Sequence, residues 1–248
     1  MFLTFALKSK INNMGKSKII VFANQKGGVG KSTLCISYAH FLSTVSGRLV
    51  GAVIDCDLQQ TISKQREIDS KTYDKDKYAY FQVVSFTLEN HSSIPGLIKS
   101  LRQTEDLVYL FDTPGTIQSQ GLLTLLTNAD AIICPFHFDR KTVASTATFI
   151  KFVEKMKEVL RQSDQRNDIP LFLLPNMVDA RVGTIDEKLL WNDVKEEFSH
   201  FGSLCPDIPR RASLERCSTI TFLDNQSDLI KPAFEFINNK LFKHDINT

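Results

Sequence analysis

The chain has 248 residues, of which 42% are apolar and 23% charged, with five cysteines and a formal net charge of +2. That length buries a sizeable core, and a single α/β domain of this size is ordinary. No apolar run approaches the roughly 20 residues of a membrane span, and so small a net charge confines any nucleic-acid contact to a local patch.

Residues 1–13 hold Lys8 and Lys10, which account for the whole net charge. Met1 to Leu7 is apolar but has no leading positive region and is too short for a signal peptide. The segment reads as a disordered tail or as a start assigned too early, with one domain over residues 14–248. Lys18 to Asn24 is an apolar, β-branched run suited to a buried strand, and Leu34 to Leu42 reads as a helix packed on a sheet. Between them lies Gln25-Lys-Gly-Gly-Val-Gly-Lys-Ser-Thr33. Strand, glycine-rich turn, Lys-Ser and helix in register make a phosphate cradle over Gly27, Gly28, Val29, Gly30, Lys31, Ser32 and Thr33. The glycines let the backbone turn its N–H groups toward phosphate oxygens. Lys31 reaches the outer phosphates, and the Ser32 hydroxyl is placed to ligate Mg²⁺.

Arg48 to Asp55 reads as a second buried strand, running into Asp55-Cys-Asp57-Leu-Gln-Gln60. Acids at the carboxyl end of a parallel strand sit where ligands collect in open sheets. Residues 59–78 are polar and charged, read as a short helix and a solvated loop. Ala79 to Ser85 is a third strand, and Ile94 to Leu101 has helical spacing behind a Ser-Ser cap candidate, with Pro95 in the first turn. Leu107 to Asp112 is a fourth strand of Walker B form, an apolar run that delivers one carboxylate to the Mg²⁺ water shell. Thr113-Pro-Gly115 follows as a candidate switch segment. Ala129 to Pro135 and Pro170 to Pro175 are further strands. Helices are expected over Lys141–Gln162, Glu187–Phe201 and Asp228–Phe242. Strands and helices alternate without repeat or linker, so a doubly wound α/β domain with a mostly parallel sheet and helices on both faces is the economical reading.

The cysteines show no metal spacing, and a reducing cytoplasm suits them. The five histidines are scattered and read as structural.

The phosphate loop departs from the ordinary pattern at one point. Gln25 stands where the first glycine belongs, and Lys26 adds a second lysine. This K-G-G-V-G-K-S form resembles the deviant Walker A of the ParA/MinD group of ATPases, within the SIMIBI-like P-loop NTPases, and the resemblance runs from about Lys16 to Leu241. It implies ATP and Mg²⁺ as cofactors. It also implies that Lys26 crosses a homodimer interface to the partner's ATP, as a finger supplied in trans. By position, Asp55 belongs to the Mg²⁺ shell with Ser32 and Asp112, and Asp57 orients the attacking water. Leu58 stands where a proline is common, and Gly115 replaces a frequent second proline. Asn176, after the strand ending at Pro175, matches the residue that bonds the adenine edge. Pro206 to Arg211 resembles the segment that closes over the base, through Ile208 and Pro209.

The resemblance implies ATP-dependent dimerisation, non-specific DNA binding and a ParB-like or other stimulating partner, serving partition or positioning of DNA. Arg210, Arg211 and Arg216 are the first DNA-contact candidates, and the positive residues between Arg140 and Arg166 the second. With 17 residues before Lys18, no amino-terminal helix-turn-helix domain is expected. A MinD-like membrane or protein-cargo positioner is the alternative. It would need a terminal amphipathic helix free to insert, whereas Leu229, Ile230, Ala233, Phe234, Ile237 and Leu241 keep the spacing of a stripe that packs on its own sheet. An iron–sulfur carrier lacks its cysteine arrangement and a tyrosine kinase its terminal tyrosine cluster. An amide ligase would leave Lys26 without a role.

Overall fold

A computed structural model describes residues 15–74, 80–166, 168–179, 181 and 183–242. The amino-terminal segment therefore lies outside the described residues. Seven strands form one sheet: β1 Lys18–Phe22, β2 Leu49–Asp55, β3 Gln82–Ser85, β4 Leu107–Asp112, β5 Ala131–Phe136, β6 Leu171–Pro175 and β7 Ser203–Leu204. Their order is β3-β2-β4-β1-β5-β6-β7, and every ladder between them is parallel. The central strands are apolar throughout because both faces of the sheet are covered. Along β1, Ile19 and Val21 enter one core while Ile20 and Phe22 enter the other.

Eight helices connect and cover the sheet among the described residues. They are α1 Lys31–His40, α2 Thr61–Thr72, α3 Ile94–Arg102, α4 Gln120–Thr127, α5 Arg140–Gln162, α6 Ile185–Ser199, α7 Ala212–Glu215 and α8 Asp224–Leu241. A wide turn over Phe41–Val45 extends α1. Helices α3, α4, α5 and α6 contribute to one core, and α1, α2 and α8 to the other. The chain runs from β1 out to β2 and β3, returns to β4 and then passes to β5 on the far side of β1. That reversal beside β1 opens a crevice at the carboxyl ends of the strands, the place where open α/β sheets take ligands.

Several boundaries differ from the sequence reading. The third strand begins at Gln82 and not at Ala79, which lies outside the described residues. Helix α4 was not expected, since its lead from Thr116 to Gly121 is polar and carries a glycine. Packing explains the glycine: a Cβ on Gly121 would stand 2.1 Å from the Leu88 carbonyl oxygen. Strand β7 and helix α7 are too short to show a period. Helix α8 starts at Asp224, earlier than Asp228, because Gln226 returns its side chain to the Leu223 N–H and closes the first turn. Its stripe packs inward, with Ile230, Ala233, Phe234 and Ile237 at most 1% exposed. No helix of the described residues is long and apolar enough to cross a membrane.

Candidate nucleotide site

β1 ends in the core, and the glycine-rich turn then has to reverse into α1 at the sheet's carboxyl edge. It does so through Gly28 and Gly30, at φ 78° and 90°, a region that disfavours side chains. At Gly30 a second constraint applies. A Cβ there would lie 2.3 Å from Asn176 Nδ2, and that nitrogen donates to the Val29 carbonyl at 2.9 Å. Asn176 thus holds the phosphate loop from the end of β6, on the far side of β5 from β1, a strut that spacing alone did not reveal.

Lys31 opens α1 and is buried, with Nζ donating to the Lys26 carbonyl at 3.1 Å. Burial lowers its pKa, and attraction to Asp112 and Asp57 opposes that shift. Ser32 Oγ donates to Asp112 Oδ2 at 2.6 Å. The other Asp112 oxygen, Oδ1, is buried without a protein partner. A buried acceptor left open beside a hydroxyl is what a hydrated divalent cation would complete. Asp55 and Asp112 pair in register on β2 and β4, so both carboxylates reach the same edge. Asp55 is itself engaged: Oδ2 accepts the Ser63 N–H at 2.9 Å and the Ser63 hydroxyl at 3.0 Å, and Oδ1 faces the Asp57 N–H at 3.3 Å. Asp57 is only partly buried, with Oδ1 accepting the Gln59 N–H at 2.9 Å. The structure therefore gathers Lys31, Ser32, Asp55, Asp57 and Asp112 into one cluster at the crevice.

Thr113-Pro-Gly115 leaves β4 against the loop. A Cβ on Gly115 would meet Gly27 N at 3.0 Å and Lys26 C at 3.3 Å, so a side chain there would press on the peptide that carries Lys26. Gly27 and Gly28 are exposed and Lys26 is partly so.

Beside the phosphate loop, Thr33, Asn176, Met177, Pro209, Arg210 and Arg211 line a small cleft together with Leu34, Leu214 and Glu215. Its far wall is an added strand-like contact: Val178 N–H donates to the Ile208 carbonyl and Arg210 N–H to the Val178 carbonyl, each at 3.0 Å. Ile208, expected beside the base with Pro209, does not face the cleft. It is fully buried in the core, and its N–H is spent on the Pro175 carbonyl at 2.9 Å. It anchors the segment, and Pro209 faces the cleft. Arg210, Arg211 and Arg216 are exposed around this wall. On α5, by contrast, Lys155 and Lys157 pair with Glu158 and Glu154 at 3.0 and 3.1 Å. That leaves the α5 face less positive than its composition suggests.

Two buried groups set opposed pH effects. Burial raises the Asp112 carboxyl from 3.8 to about 7 against the Ser32 hydrogen bond, and burial lowers the His40 imidazole from 6.5 to about 4. Native Asp112 keeps a proton that the unfolded chain releases, so its contribution falls as pH rises from 3.8 to about 7. Native His40 refuses a proton that the unfolded chain accepts, so its contribution rises between about 4 and 6.5. The two act with opposite sign over this window. Asp112→Asn is therefore expected to lose stability on acidification through this window more steeply than the wild type, read as urea midpoints without nucleotide. Equal slopes would remove Asp112 as the balancing group.

The fold and these motifs have relatives. Solved structures of apo McdA from Cyanothece (18% identity, TM-score 0.67, covering 91% of this chain and 99% of that one) and of a putative plasmid partition protein from Borrelia burgdorferi B31 bound to AMPPNP (22%, 0.61, 93% and 99%) share the architecture. So does the Aquifex aeolicus MinC:MinD cell division protein complex (16%, 0.58, 89% and 95%). At these identities the likeness establishes the fold alone. No curated protein matches the chain by sequence. The family model described as the CobQ/CobB/MinD/ParA nucleotide binding domain matches residues 20–217, from β1 through the cleft beside the phosphate loop. Carrying that model over most of its length, with the glycine loop and both strand-end acids inside it, the chain belongs to the CobQ/CobB/MinD/ParA nucleotide-binding family.

Proposed function

We propose that this chain is a ParA-like ATPase that dimerises on ATP, binds duplex DNA without sequence preference and resets by Mg²⁺-dependent hydrolysis. The observation that carries the reading is the phosphate loop. Lys31 is buried beneath it, while the second lysine, Lys26, stays partly exposed on the peptide against Gly115. A partly exposed second lysine at that point is placed to reach a partner's phosphates, as a finger supplied in trans requires.

In this reading Gly27 to Thr33 cradle the phosphates, and Lys31 leaves the Lys26 carbonyl to neutralise them. Ser32, with Asp55 and Asp112, would hold the magnesium shell, whose cation supplies charge neutralisation on the phosphate oxygens. Asp57 orients the attacking water. Asn176 keeps one amide N–H on Val29 and has its carbonyl oxygen for the adenine amino group, with Pro209 over the base. The likeness to the AMPPNP-bound putative plasmid partition protein supports partition as the task. The stripe of α8 is spent on the core, so that helix is not free to insert into a membrane.

The deciding experiment is a gel-shift titration on duplex DNA with ATP, with ADP and without nucleotide. Binding is expected only with ATP and should weaken steeply with salt, because phosphate contacts release counterions. Arg211→Ala or Arg216→Ala should weaken it more than Lys71→Ala. Equal or absent binding in all three states overturns DNA as the cargo and leaves protein-cargo positioning.

A further inference from the structure

Helix α2 joins the strand end at Asp55 to a loop whose Thr219 lies 150 residues beyond the helix's own Asp69. At its first turn Ser63 gives its N–H and its hydroxyl to Asp55 Oδ2. Further along, Asp69 is 6% exposed and collects donors from the loop beyond α7. Its Oδ2 accepts the Thr219 N–H and hydroxyl, both at 2.7 Å, and the Ser218 hydroxyl at 3.1 Å. Gln65 Nε2 reaches its Oδ1 at 2.8 Å. Burial alone would raise this carboxyl, but the hydrogen bonds from Thr219, Gln65 and Ser218 outweigh it and hold the group below its ordinary value. A carboxylate so surrounded is a fastening between elements.

The same loop is also tied to α1, through His40 Nε2 and the Ser218 carbonyl at 3.0 Å and through Ser37 Oγ and Cys217 Sγ at 3.5 Å. It therefore bridges the helix that starts at the phosphate loop and the helix that starts at the acidic motif. Arg216 immediately precedes the bridge, and α7 links it back to Arg211 and Arg210.

We propose that Asp69 is a positioning residue, transmitting the state of the nucleotide site through α2 to the exposed Arg210, Arg211 and Arg216. The inference rests on the proposed function for the role of Asp55. Drawing the Asp55 carboxylate toward a metal's water shell competes with the two Ser63 donors on Oδ2, so nucleotide binding loosens the first turn of α2. Asp69 carries that shift to Ser218 and Thr219, while His40 keeps the loop on α1. Two helices tied to one loop are the element whose relative shift such coupling would use.

Hydrogen–deuterium exchange with Mg²⁺ and a non-hydrolysable ATP analogue tests this without DNA. In the wild type the analogue should change exchange both at residues 25–33 and at residues 216–220, the latter by about tenfold. Asp69→Ala should keep the response at 25–33 and lose it at 216–220. Asp69→Asn, which retains one acceptor oxygen, should recover part of it; a purely local loosening at 216–220 would leave the effect of Ser63→Ala, which keeps the Asp69 bonds, absent. Ser63→Ala, at the other end of the helix, should weaken the same distant response. A wild-type response confined to 25–33, or one unchanged in Asp69→Ala and Ser63→Ala, overturns the relay while leaving the ATPase reading intact. No response at either place overturns both.

Discussion

Asp57→Ala is expected to bind Mg²⁺–ATP with nearly unchanged affinity and to hydrolyse it roughly 10²-fold or more slowly, the effect of losing a positioned catalytic carboxylate. The acids at the crevice differ in how they are held. Asp55 is 1% exposed and fastened to Ser63, and Asp112 is fully buried against Ser32. Asp57 alone is partly open, in a turn closed by the Gln59 N–H to its side chain and the Gln60 N–H to its carbonyl. An acid that has to meet water on the phosphate side needs that openness; one that serves a metal shell needs the buried strand end. Single-turnover hydrolysis beside an equilibrium nucleotide titration separates the two steps. Normal hydrolysis by the variant would take Asp57 out of its role. Lys31→Ala is the contrasting control and should lose the nucleotide itself, since its charge is the one buried under the loop.

Lys26→Ala should leave nucleotide affinity of the monomer nearly intact and weaken the ATP-dependent dimer by on the order of 10²-fold, the scale for truncating one partner of a buried charge pair across an interface. The local geometry makes this a clean variant. The Lys26 carbonyl, which receives Lys31, belongs to the backbone and survives the substitution, as does the close approach of Gly115 to the Lys26–Gly27 peptide. What the variant removes is a partly exposed ammonium. Sedimentation of both proteins with a non-hydrolysable analogue reads the outcome. A variant that dimerises as well as the parent shows that the second lysine does not cross to a partner.

The alternation of apolar runs and helical spacing, with no linker, was sufficient for the doubly wound sheet, because strands buried on both faces must be apolar throughout. The order of the glycines, Lys31 and Ser32 was likewise sufficient for the phosphate cradle, since those positions are contiguous and one turn of chain assembles them. Contacts made across the sheet left no such trace. That Gly30 must be glycine to make room for Asn176, that Gly121 must be glycine to pass Leu88, and that Ile208 turns into the core while Pro209 faces the cleft are decided by which strands become neighbours. Asp69 is the clearest case. In the sequence it is one acid among many in a polar stretch, and only the folding of α2 against the Ser218–Thr219 loop makes it a buried fastening, because three donors from that loop, with Gln65 of its own helix, offset the cost of removing its charge from water.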